Sequence, residues 1–224
     1  MNSGTSTPED ILAFWFPDGE TPSAQEHERL WNWRLRGGTY DELVVRFAAL
    51  TDRASAGGLD AWAQSPVGRL ALILLLDPFS RAVWASTPRA YAAEPKARAL
   101  CLQGLTNGHF DALPQVWHRA AFKTPLEQCE CDEPAAHLAH LDKATAIADR
   151  LAEQAPLELR SWYVQSAGLS RRHRAVIAHF GRYPQRNAIL GRASTPKELA
   201  FIANGELPPA HLATTANPEG HRRP

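Results

Sequence analysis

The sequence predicts an all-α fold in a single domain, and three observations carry that reading. Proline recurs directly behind capping residues, at Thr7-Pro8, Ser65-Pro66, Thr87-Pro88, Thr124-Pro125 and Thr195-Pro196, where the first helical position tolerates its missing N–H. Apolar residues recur at steps of three and four, as at Leu43, Phe47 and Leu50. No stretch alternates apolar and polar residues with β-branched enrichment, so no strand is predicted.

Taken in order, Ile11, Leu12, Phe14, Trp15 and Phe16 form a short apolar helix that Pro17 and Gly19 end. A second helix spans about Ser23 to Arg36, stopped by Gly37-Gly38, and a third runs from Thr39 to Gly57-Gly58 with Asp41 and Glu42 in its first turn. Val67 to Leu76 is apolar nearly all round, with Arg69 its only charge, which predicts the central, fully enclosed helix. Pro78 is expected to break or kink it and to leave Asp77 paired with Arg81 near its end. Thr124-Pro125-Leu126-Glu127 and Thr195-Pro196-Lys197-Glu198 match the capping box, in which the third helical side chain reaches back to the cap. Helices follow from Pro134 to about Gln154 and from about Pro156 to Phe180, the latter with an apolar stripe of Trp162, Ser166, Leu169, His173, Val176 and Phe180. Gly181 is the expected C-cap. The domain covers residues 1–205, and the Pro- and Gly-rich residues 206–224 are expected to be a flexible tail.

Lys plus Arg and Asp plus Glu balance at 24 each, which argues against a dedicated nucleic-acid binder. The longest apolar run, Leu70 to Leu76, is far too short to span a bilayer, so no membrane partner is expected. The opening residues have no apolar leader, and three cysteines do not make a disulfide framework, so a cytoplasmic protein is expected. No glycine-rich phosphate loop or dinucleotide fingerprint occurs, and no cofactor is assigned. Cys129, Cys131, His137 and His140 are zinc-ligand types at a spacing that is not a standard one, and ordinary helix-surface histidines explain them as well. No metal is assigned either.

Charge is balanced overall but not locally. From Leu159 to Lys197 there is no Asp or Glu, while Arg174, Arg182, Arg186 and Arg192 crowd residues 173–195. Such a block either pairs with acids elsewhere, for which residues 127–133 are the natural partner, or receives an anion.

Several stretches together, ILAFWF at 11–16, GRLALILLLD at 68–77, Thr87-Pro88-Arg89-Ala90, Pro125-Leu126-Glu127 and FGRYPQRNAILGRAST at 180–195, resemble a bacterial domain-of-unknown-function family with a TPR-like all-helical fold. The resemblance covers about residues 8 to 205. It implies a curved stack of antiparallel helix pairs with a concave face, an architecture that commonly binds peptides or partner proteins. Gln128 and Gln185 stand where the family has histidines, and Asp77-Pro78-Phe79-Ser80-Arg81-Ala82 keeps only the acid, the Phe and the Arg of a family motif. Glutamine keeps hydrogen bonding but does not titrate near neutral pH.

Two functional expectations follow, beside the plain one that these charges form a buried ion-pair network. The first is an Arg-lined groove binding an anionic small molecule or an acidic peptide, with Arg81, Gln128, Arg182, Gln185, Arg186, Asn187 and Arg192 as ligand contacts. The second is a small-molecule enzyme, hydrolytic or acid–base, in which Asp77, Glu130 and His173 act and the arginines clamp an anion. A protein partner is compatible with either.

Overall fold

A computed structural model describes residues 6–205 of the chain as one all-α domain, with no strand among them. Its α-helices are α1 (Pro8–Trp15), α2 (Ala24–Leu35), α3 (Tyr40–Ser55), α4 (Pro66–Leu74), α5 (Ser80–Val83), α6 (Glu94–Thr106), α7 (Val116–Phe122), α8 (Thr124–Gln128), α9 (Pro134–Gln154), α10 (Arg160–Phe180) and α11 (Pro196–Asn204). The expected tail, 206–224, lies outside the described residues.

The central helix is α4. Leu70 through Leu76 are all sealed from solvent, so the run that read as apolar on every face is covered on every face, by α1, α6, α7 and the 3-10 turn Asp60–Gln64. Burying one such Leu or Ile side chain stabilises a fold by about 1.5–3 kcal/mol, which makes α4 the main hydrophobic anchor. Gly68 is required at its first turn, because a Cβ there would lie 2.2 Å from the backbone oxygen of Trp62. Arg69, the one charge on the helix, is spent on Ala63 O, Leu100 O, Gln103 and His109.

Pro78 does not break this helix. A single π turn over Leu75–Phe79 takes up the missing N–H, and the chain runs on helically as α5 to Val83. The Ser80 hydroxyl donates to Leu75 O at 2.9 Å across the wider turn. The turn points Asp77 into the interior with no exposed surface.

Of the five capping starts expected from the sequence, three cap as expected, while Thr87 and Thr124 make no cap bond. Thr7 with Asp10 and Thr195 with Glu198 form reciprocal boxes, and Ser65 caps α4 through the Gly68 N–H. Thr124 caps nothing, because α8 begins one residue earlier than expected and Glu127 is drawn to Lys123 at 2.5 Å. Buried Ser170 also donates to that carboxylate, which fastens α8 to α10.

The two longest helices, α9 and α10, form a hairpin along one side of the domain. On α10 the buried residues are Tyr163, Ala167, Ser170, His173, Val176 and Ile177, so the N-terminal part of the stripe sits one residue beyond its expected place. Trp162, Ser166 and Leu169 are half-buried instead. Gly181 ends α10 in the left-handed region, at φ 72°, and turns the chain back toward the domain. No helix among the described residues is long and apolar enough to cross a membrane.

Candidate functional site

Two buried ionic centres stand on either side of one cavity. The first is built on Arg186, which the 3-10 turn Pro184–Arg186 carries inward after Gly181 reverses the chain. Its guanidinium meets both Glu94 oxygens at 3.0 Å and gives a further bond to Gln128 O at 2.5 Å. It also stacks between the rings of Tyr91 and Tyr183, 4.5 and 4.9 Å from their centroids. Burial works against this cation, but the carboxylates of Glu94 and Glu130 outweigh it and hold Arg186 above the ordinary arginine range. Arg81 joins from α5, donating to Gln128 Oε1 at 2.9 Å and pairing with Asp77 Oδ1. Burial dominates there and lowers its pKa, with Glu94 opposing.

The second centre is N-terminal. Asp18 receives the Arg34 fork at 2.9 to 3.0 Å and contacts His27 Nδ1 at 2.9 Å, while His27 Nε2 lies 3.0 Å from the Tyr163 hydroxyl. Arg34 also donates to Trp15 O at 2.6 Å and lies over the Trp31 ring at 4.5 Å. All four polar residues except Tyr163 belong to the first two helices and the turn between them, so the pairing ties that segment to α10.

Between the centres lies a cavity of about 170 Å³. Its wall is mostly apolar, with Trp15, Trp31, Tyr40, Leu74, Leu169 and Tyr183 as the large surfaces. Arg34, Asp77, Arg81, Gln128, His173, Gln185 and Arg186 also line it. Several of their polar atoms have no hydrogen-bond partner among the described residues: Arg81 Nε, Arg186 Nε, Asp77 Oδ2, Gln185 Oε1 and His173 Nδ1, together with Trp31 Nε1. Unpaired buried polar atoms also occur away from the cavity, at Thr39, Thr51, His118 and His137 among others.

The expected site residues thus divide into two sets. Asp77, Arg81, Gln128, His173, Gln185 and Arg186 reach the cavity. Glu130, Arg182, Asn187 and Arg192 do not; they lock the loop after α10. Glu130 accepts from the Tyr183 backbone N–H at 2.6 Å and from Arg192 at 2.7 Å, and Arg182 forks onto Glu198 at 2.8 and 3.0 Å. Asn187 donates to Ser194 Oγ at 3.0 Å and accepts from Arg192 Nε at 3.0 Å. Burial pushes the Glu130 carboxyl up, but Arg192, Arg186 and the Tyr183 N–H bring it below its usual value. Three arginines of the basic block therefore meet acids of the fold at Glu94, Glu130 and Glu198, while Arg174 pairs with Asp142 on the exposed surface.

The four residues with zinc-ligand types do not converge. Cys129 donates to Glu94 O at 3.3 Å, Cys131 Sγ lies 3.4 Å from His140 Nδ1, and His137 packs edge-on to Tyr183. Asp77, Glu94 and Cys129 do bring one ligand atom each within 4.8 Å of one another. Their chemistry does not suit a cation: both carboxylates already face guanidinium groups, and burial holds the Cys129 thiol well above its ordinary pKa.

His173 is enclosed, and burial lowers its pKa to about 4, as it does for His118 and His137. Each is neutral when folded at neutral pH and gains a proton on unfolding below its ordinary value of 6.5. A depressed histidine pKa gives stability that is complete above pH 6.5 and is lost as pH falls toward 4. Denaturant unfolding across that window should therefore show stability dropping with acidity, and His137→Phe should flatten the slope by about one proton. A profile flat down to pH 4 in the unaltered protein would contradict buried neutral imidazoles.

Sequence reasoning missed Glu94, Asp18 and Arg34, each of which looks like an ordinary helix-end or surface residue in the chain. Only Glu94 carried a signal, an acid placed before Pro95 where it caps poorly.

A family model described as a bacterial protein of unknown function (DUF924) matches residues 11–206. The solved structure of a protein of unknown function from Agrobacterium tumefaciens is 27% identical, with a TM-score of 0.62, and the match covers 88% of this chain and 97% of that one. No curated protein matches the chain.

Proposed function

We propose, for a chain that belongs to the bacterial DUF924 family of unknown function, that the cavity beside Arg81 and Arg186 binds a small molecule with an apolar body and a carboxylate group. The observation that carries this reading is an aromatic-walled space lined by Arg81 and Arg186, each of which has a buried guanidinium Nε without a hydrogen-bond partner. A guanidinium already engaged through its Nη atoms still offers its Nε–H, a charge-assisted donor worth most to an anionic acceptor. The volume of about 170 Å³ suits a small molecule rather than a length of acidic peptide. The helical-repeat reading rests on the α9/α10 hairpin, one wall of which is α10 with Leu169 and His173.

Binding without chemistry is preferred over acid–base catalysis. Of the trio Asp77, Glu130 and His173, only Asp77 and His173 border the cavity, and an imidazole with a pKa of about 4 is a weak base at neutral pH.

Aryl and alkyl carboxylates of benzoate to phenylpropionate size are expected to raise the thermal midpoint, since a ligand at a hundred times its Kd stabilises by about 2.7 kcal/mol. Leu169→Trp, which fills the space from its half-buried wall, should abolish that rise while leaving the helical circular dichroism unchanged. Equal shifts in both proteins, or none at millimolar carboxylate, would remove the reading.

A further inference from the structure

A second concave surface lies outside the cavity, between the C-terminal half of α10 and α11. It is a groove of about 500 Å³ lined by Val176, His179 and Phe180 of α10 and by Lys197, Ala200 and Phe201 of α11. We infer that it docks an acidic amphipathic helical segment of another protein, which lays apolar side chains on the groove floor and carboxylates on its basic rim.

The first argument is packing. Helix α11 carries Leu199, Phe201 and Ile202, yet its only buried residue is Glu198. Phe201 rests on Phe180, ring centroids 5.1 Å apart, and both rings stay half-buried, while Leu199 and Ile202 are 56% and 40% exposed. What holds the helix down is polar: Glu198 takes the Arg182 fork and closes the capping box with Thr195. Below the two rings Val176 is buried, so the floor continues into the small core of Leu141, Ile177 and Tyr183. An amphipathic helix ordinarily buries its apolar residues, and a cluster left open beside a groove marks a surface that something else covers.

The second argument is charge. No Asp or Glu lines the groove among the described residues. Lys197 stands on its rim, and Arg172 lies one turn before Val176 on the same face of α10. Both are exposed, and neither makes an ion pair among the described residues. Their neighbours are matched: Arg171 with Asp149, Arg174 with Asp142 and Arg182 with Glu198. In a chain whose charges balance at 24 of each sign, two unmatched cations beside one apolar groove select an acidic partner. Shape selects a helix. The floor is recessed between two helices, which admits single side chains from i and i+3 or i+4 of a third, whereas a flat bilayer would meet the rim and miss the floor.

A random-peptide display selection on the full chain tests this. The enriched sequences are expected to carry two apolar side chains three or four positions apart, flanked by Asp or Glu. The consensus peptide, followed by fluorescence anisotropy, should bind the double variant Arg172→Glu with Lys197→Glu at least about tenfold more weakly. Ala200→Trp, which fills the groove, should abolish binding. All three positions are exposed, so the core is untouched, and circular dichroism verifies it. Exchanging the peptide's acids for lysines should restore binding to the double variant, a rescue that a damaged fold could not give. Sequences without acids, no enrichment, or binding indifferent to these variants would overturn the proposal. It also fails if phosphatidylserine vesicles bind and peptides do not, if a dimer at micromolar concentration is dissociated by Ala200→Trp, or if a synthetic 206–224 peptide binds the groove as tightly as the consensus. Those three results would put a bilayer, a second copy or the chain's own C-terminal segment there instead.

Discussion

Arg186→Ala is expected to lower the unfolding free energy by about 3–5 kcal/mol, the cost of leaving a buried partner charge without its counterion. Glu94 would keep the 3.3 Å Glu130 N–H and the longer 3.9 Å contact to Arg81, Gln128 O would lose its 2.5 Å donor, and Tyr91 and Tyr183 would lose the cation between them. Arg186→Lys restores the charge but neither the fork nor the planar stack, and should still cost at least about 1.5 kcal/mol. Denaturant melts of the three proteins decide this. A loss within about 0.5 kcal/mol for the alanine variant, the range of ordinary surface changes, would mean that the centre does not hold the C-terminal loop.

Asp18→Ala should cost about as much, roughly 3–5 kcal/mol, because it strips both Arg34 and His27 of their shared acceptor at a site closed to water. Burial already brings the Arg34 pKa down to about 10, with Asp18 resisting, so removing Asp18 deepens the penalty on a charged guanidinium. The exposed pair Arg46–Glu42 provides the contrast, since Glu42→Ala should change stability by no more than about 0.5 kcal/mol. Salt should separate the two as well, acting on Arg46–Glu42 and hardly at all on the enclosed centre. Equal losses at Asp18 and Glu42 would show that the N-terminal centre is solvated.

What was legible in the chain is what depends on neighbours a few residues away. The caps at Thr7, Ser65 and Thr195, the glycine at 181 and the enclosure of α4 all follow from local chemistry, and the structure shows each. Where local signals misled, a tertiary partner outbid them. Glu127 has the spacing of a capping box, yet a buried Lys123 four residues away offers a full charge in place of a backbone N–H. Pro78 reads as a break or a kink, and the chain avoids the break by a π turn that keeps the apolar residues on both sides of it buried. The α10 stripe shifted because that helix is covered along more than one line, by α9 and by the cavity wall. The candidate site was half legible. The arginine-rich loop and the acidic segment pointed to each other, but nothing in the sequence ties Glu94 to a residue 92 positions later, or His27 to one 136 positions later.

That separation between Glu94 and Arg186 sets an order of events during synthesis. Helix α4 and its neighbours come from residues made early, and their contacts are available while the C-terminal part is still inside the ribosome. The cavity is not. Its floor waits for Arg186, and until that residue emerges, Glu94 and Asp77 face each other's side of an unfinished hollow with only Arg81 between them. The pairing of Glu94 with Arg186 is therefore a contact of long sequence separation, the kind whose loop-closure entropy makes it slow to form.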